Sequence, residues 1–91
     1  MSKQLDIQVV DRLETLWAGK AGYISVPALD GKLGVLPGRQ PVLAVLGSGA
    51  VEISQVQNGD ADVLIDVDSG FVSVDADFVT VVVEDGTVIS S

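Results

Sequence analysis

Residues 29–43 read LDGKLGVLPGRQPVL, with three glycines and two prolines set among apolar side chains. Glycine enters positive φ at no steric cost, and proline holds φ near −65° while lacking a backbone donor. A helix through this stretch would lose roughly 1 kcal/mol at each interior glycine and about 3 at each proline. The segment is therefore expected as a stiff, shaped loop with one short extended piece around Val35. Such a loop presents a surface fit for recognition, and the chain on either side has to hold it.

That flanking chain reads as short strands. Upstream, Leu5, Ile7 and Val9 alternate with Asp6 and Gln8, the period of a half-buried strand. Residues 11–17 fit either a helical turn behind an Asp11 cap or a bent strand, since Leu13, Leu16 and Trp17 fall at helical spacing. Residues 20–27 are extended in composition and close at Pro27. Downstream, an apolar run over 42–46 ends at Gly47-Ser48-Gly49, and alternation resumes over 50–56. Asn58-Gly59 then stands between two alternating runs, which predicts a two-residue type I′ hairpin. Val63, Ile65 and Val67 are expected on one face, opposite Asp62, Asp66 and Asp68. Two further strands cover 71–74 and 78–83 around the polar corner 75–77, and Asp85-Gly86 turns the chain into a tail. The run VTVVV over 79–83 predicts a central strand covered on both faces, or an edge covered by a partner, because left bare it would invite aggregation. Turns about every eight to twelve residues point to an all-β sandwich or barrel.

Composition narrows the function. At 91 residues the chain supports one core, and with 47% apolar residues it is a folding sequence. It has no cysteine, so stability rests on packing and an intracellular setting is expected. The opening MSKQLDIQVV lacks the pattern of a secretory leader, and no apolar run is long enough to span a bilayer as a helix, which predicts a soluble chain. All five cations, Lys3, Arg12, Lys20, Lys32 and Arg39, precede residue 40, whereas nine of the thirteen acids follow it, giving +1 for residues 1–39 and −9 for the rest. An anionic half repels nucleic acid and acidic lipid, so neither is expected as a direct partner.

Catalytic constellations are missing. Without His or Cys there is no common nucleophile and base pair and no typical zinc site. Asp66 to Gly70 only partly matches a calcium loop, with Gly one place early and Asp77 where Glu should close it. Gly31-Lys32 lacks the surroundings of a phosphate loop, and Gly47-Ser48-Gly49 lacks the third glycine of a dinucleotide fingerprint. The carboxylate pairs Asp60 with Asp62 and Asp75 with Asp77 lie in no pocket that the sequence implies. No cofactor or metal is expected.

The ordered set Asp30-Gly31-Lys32-Leu33-Gly34-Val35-Leu36-Pro37-Gly38-Arg39-Gln40-Pro41, followed by Leu43 and Gly49, resembles the signature of the epsilon subunit of F-type ATP synthases. Leu5-Asp6, Trp17-Ala18-Gly19, Gly70-Phe71-Val72 and Val79-Thr80-Val81 extend the resemblance over essentially the whole chain. It implies a β-sandwich of about ten short strands, with residues 11–17 extended. It also implies a non-catalytic subunit at the foot of the central stalk, bound to the gamma subunit and touching the polar loops of the c-ring, peripheral at the cytoplasmic face of the energy-transducing membrane. By position in the motif, Gly31, Lys32, Leu36, Pro37, Gly38, Arg39 and Pro41 are the expected c-ring and stalk interface, with Gly31, Lys32 and Arg39 facing the ring. Two positions depart from the family pattern, which often has His where Arg39 stands and a second Gly where Ser69 stands. The expected organisation is an epsilon-type sandwich domain over 1–86 and a short tail over 87–91, without the pair of C-terminal helices that in many relatives inhibits ATP hydrolysis and in some binds ATP.

A competing reading is a lipoyl or biotinyl carrier domain, also an acidic, Val-rich sandwich, with Lys32 as the modified residue. Carrier lysines sit at a hairpin tip beside an acidic residue or Met, whereas Lys32 lies between Gly31 and Leu33. A small-ligand barrel is a third reading, with only four aromatics to line a pocket.

Overall fold

The computed structural model describes residues 3–90. Within them the chain forms nine strands: β1 (Leu5–Val10), β2 (Thr15–Ala28), β3 (Gly31–Val35), β4 (Val42–Leu46), β5 (Gly49–Val56), β6 (Val63–Val67), β7 (Gly70–Asp75), β8 (Phe78–Val83) and β9 (Gly86–Ser90). The one helical element is a single 3-10 turn, Gln57–Gly59.

Strand β2 organises the molecule because its 14 residues serve two layers. Its first half pairs with β1, and from there the first sheet continues through β8 and β7 to β4. Its second half lies between β3 and β5, and the second sheet continues through β6 to β9. Ala21 is the handover, pairing with Leu5 on one side and Val56 on the other. The β1–β8 pairing is parallel. All the other pairings are antiparallel, and β4 closes the first sheet on Ala28.

Period-2 alternation sends one side of each strand into the space between the layers. Leu5, Ile7 and Val9, then Val63, Ile65 and Val67, then Val79, Val81 and Val83 are all buried there. Of the eighteen buried apolar residues eleven are valines and none is aromatic. Branched side chains with few rotamers fill the thin interior and lose little entropy in doing so. No buried side-chain nitrogen or oxygen among the described residues lacks a hydrogen-bond partner.

Several expectations change. Residues 29–43 do not form one loop: Gly31–Val35 pairs with β2 as a strand, and only residues 36–41 connect it to β4. Gly34 is tolerated in that strand because the Tyr23 ring lies over it; a Cβ there would stand 2.6 Å from the tyrosine oxygen. Asn58 and Gly59 do take positive φ, 70° and 73°, yet they are not a two-residue hairpin. The β5–β6 ladder stops at the pair Ile53 and Val63, and two residues further on Gln55 leaves the extended region at φ 57°. Residues 11–14 form a turn, in which Asp11 Oδ1 accepts the amides of Leu13 and Glu14, each at 2.8 Å, before β2 begins. The tail expected after residue 86 is strand β9, laid along β6. Finally, 79–83 is central by hydrogen bonding, yet Thr80 and Val82 on its outer face are only half-buried.

Candidate interaction surfaces

The seven residues singled out from the motif fall into two groups separated by the length of β3, about 13 Å for five residues. Gly31 and Lys32 lie at the β2–β3 tip, where Ala28 pairs with Gly31 and residues 29 and 30 make the turn. The tip is braced: Leu29 N–H donates to the Val45 carbonyl at 3.0 Å, and Gly47 N–H donates to the Pro27 carbonyl at 2.9 Å. Ser48 Oγ in turn bonds Asp68, at 3.0 Å to its carboxylate. Lys32 Nζ lies 3.0 Å from Glu52 Oε2 in an exposed pair, so this cation has a partner within the chain.

Leu36, Pro37, Gly38, Arg39 and Pro41 form the corner at the other end of β3. Pro37 followed by Gly38 at φ 89° is the pairing that a type II turn requires at its two central positions. Leu36 and Arg39 are exposed, and Arg39 forms no ion pair among the described residues. Corner and tip lie at opposite ends of β3, so Gly31 and Lys32 stand apart from Arg39.

The first sheet's outer face carries a feature that the motif does not. In register across four strands stand Val45, Phe71, Val82 and Val10. Leu43 continues this row along β4 towards Pro41, and Phe78 lies beyond Thr80 on β8. Leu43 is 71% exposed, Val45 59%, Phe71 45% and Phe78 62%. Small domains ordinarily place their largest side chains inside; here both phenylalanines stand on the surface while valines fill the interior. A contiguous exposed apolar patch marks a docking surface. A shallow cleft of about 350 Å³, lined by Pro41, Val42, Leu43, Ser73, Val74 and Asp75, joins the corner to this face. The middle of the second sheet differs, with Glu52, Ser54, Asp66 and the Lys32–Glu52 pair making it polar, and its exposed apolar residues Val88 and Ile89 lie on the edge strand β9.

Strand alternation puts Phe71 opposite Val72 and Val74, but the row emerges only from the registers of four strands, which carry no local signal. Among the described residues no cluster of His, Cys, Asp or Glu is arranged to hold a metal ion. Among the described residues no helix is long and apolar enough to cross a membrane.

A stiff β-sandwich with a bare apolar face and a braced tip defines a docking module, a part of a larger assembly. Residues 4–88 match the family model of the ATP synthase Delta/Epsilon chain β-sandwich domain, and the chain belongs to that family. It is 36% identical over 78 residues to the ATP synthase epsilon chain of Micrococcus luteus, covering 86% of this chain and 84% of that one. To that of Corynebacterium diphtheriae it is 37% identical over 80 residues, covering 88% and 64%. To that of a Neisseria meningitidis serogroup C strain it is 30% identical over 80 residues, covering 88% and 56%. The chain thus spans most of the first relative and little more than half of the last. By fold it superposes on a chain of the Euglena gracilis mitochondrial ATP synthase OSCP/F1/c-ring assembly with a TM-score of 0.84 at 18% identity, covering 93% of this chain and 53% of that chain. It also superposes on a chain of the Tetrahymena thermophila mitochondrial ATP synthase central stalk and c-ring with a TM-score of 0.70 at 19% identity, covering 94% and 67%.

Proposed function

We propose that this chain is a non-catalytic rotor subunit of an F-type ATP synthase, held on the central stalk between the gamma subunit and the c-ring. The observation that carries the reading is the apolar row Val45, Phe71, Val82 and Val10 on one outer face only. Membership of the epsilon family supplies the kind of assembly, and the row supplies a place for the shaft to dock. The apolar face together with the Pro37–Pro41 corner is the gamma-facing side. The tip with Gly31 and Lys32 is the ring-facing side, where the turn also presents an exposed Leu29 beside Asp30. Arg39 goes with the shaft side.

Torque transfer demands contacts that do not yield. The corner is limited by two prolines and loses little conformational freedom on docking. The tip is tied by backbone bonds to its neighbouring turns. Ring rotation then passes through a rigid sandwich to the shaft, and chemistry takes place in other subunits. On this reading the chain is peripheral, at the cytoplasmic face of the energy-transducing membrane. The carrier alternative is not favoured: the chain belongs to the Delta/Epsilon family, Lys32 is paired with Glu52, and an unmodified intact mass is the expected result for the native protein.

Affinity isolation from native membranes tests the assignment. Gamma and c subunits are expected to co-purify with the wild-type chain. Phe71→Asp is expected to weaken that association about tenfold, or about 1.4 kcal/mol, and to cost about 1 kcal/mol of stability because Phe71, 45% exposed, lies on a strand paired on both sides where aspartate is a poor strand residue. Recovery of the chain without synthase subunits would refute the reading.

A further inference from the structure

The turn between β7 and β8 holds two residues other than glycine in the left-handed region. Asp75 pairs with Phe78 to close the hairpin, and the two residues between them, Ala76 and Asp77, both sit at positive φ, 51° and 66°. The second position of such a turn is ordinarily glycine, which enters this region without strain. Aspartate enters it more readily than most other residues, and here its side chain is also used. Its use is visible: Asp77 Oδ1 accepts the Gly38 N–H at 2.7 Å, 39 residues away in sequence. Its carbonyl also accepts the Asp6 N–H at 2.8 Å, so the turn is itself fixed to β1.

In a turn with Pro37 and Gly38 at its centre, the third residue's N–H takes no part in the closing bond of the turn and is open to an outside acceptor. An outside acceptor that takes this amide sets the tilt of the whole corner. Within the described residues no other side chain accepts a hydrogen bond from the corner's backbone.

We infer that Asp77 is a positioning residue, a carboxylate latch that holds the Pro37-Gly38 turn in the orientation in which the corner meets its partner. This rests on the reading of the corner as part of the shaft-facing side. The carboxylate touches no partner itself; it acts through the corner backbone.

Two substitutions separate a latch from a structural turn residue. Asp77→Gly suits the left-handed turn better but removes the acceptor, whereas Asp77→Asn keeps both the turn preference and an Oδ1 acceptor. A purely structural aspartate predicts that Asp77→Gly is harmless or stabilising. The latch predicts Gly38 amide exchange in the free chain about tenfold faster in Asp77→Gly, with the thermal midpoint not lowered. It further predicts affinity for the rest of the synthase complex about three- to tenfold weaker, and Asp77→Asn close to wild type in both. Unchanged Gly38 exchange in Asp77→Gly overturns the latch. Faster exchange with undiminished affinity overturns its role in docking. A wild-type chain that does not join the complex overturns the stalk reading and the docking role with it, while Gly38 exchange still decides separately whether the latch exists.

Discussion

Single residues in this chain do work that their motif positions alone do not reveal. Gly70 is irreplaceable for steric reasons: a Cβ there would be driven into the Val82 carbonyl and would stand 2.8 Å from Val83 Cα. Gly70→Ala is therefore expected to cost about 3 kcal/mol, read as a lowered denaturation midpoint with an unchanged slope. Asp11 makes a different prediction. The amides of Leu13 and then Glu14 hold its carboxyl below the ordinary 3.8. A folded pKa lowered in this way gives stability that is present above the unfolded pKa and is lost as pH falls through the folded one. An NMR titration of the Asp11 carboxyl should have its midpoint below 3.8, and the stability gap between wild type and Asp11→Ala should narrow as pH falls below that value. The acceptor role of Asp11 was legible as a cap, although the residues behind it form a turn and not a helix. The close approach of Gly70 to β8 leaves no local signal in the sequence.

Strands with one buried face were legible, because alternation leaves a pattern that does not depend on neighbours. Leu5, Ile7 and Val9 and the run Val63, Ile65 and Val67 are cases in point. Elements shaped by contact with another strand were not. The glycine-rich half of residues 29–43 reads as loop by propensity, yet it forms β3 because β2 offers it a ladder and Tyr23 covers the space that a side chain would fill. A double-mutant cycle tests this account of the β2–β3 hairpin. Gly34→Ala is expected to destabilise by about 1 kcal/mol when Tyr23 is present and to be neutral or stabilising in a Tyr23→Ala background, because the clash is gone and alanine is the better strand residue. Equal penalties in both backgrounds would show that the ring does not govern the position. The Asn58-Gly59 signal likewise produced its positive φ values but not its hairpin, since the β5–β6 ladder already ends at Ile53 and Val63 and Gln55 turns the chain out of line at φ 57°.

At the scale of the whole molecule, the sandwich has two unlike outer faces and a braced tip, a form suited to standing between two partners. The sandwich class and the family were legible, the first from turn spacing and the second from an ordered motif set. The docking face was not, since β1 meets β8 in parallel across most of the chain's length and no local pattern announces that pairing. The division of the motif into tip and corner also followed only from β3 forming. The central claim is that the first sheet's outer face seats this subunit on the shaft while the tip meets the ring. A cryo-EM structure of the intact synthase containing this chain tests it most directly. The account predicts Val45, Phe71 and Val82 buried against the gamma subunit, with Gly31 and Lys32 against the c-ring loops. That face left open to solvent, with the polar second sheet against the shaft, would contradict it.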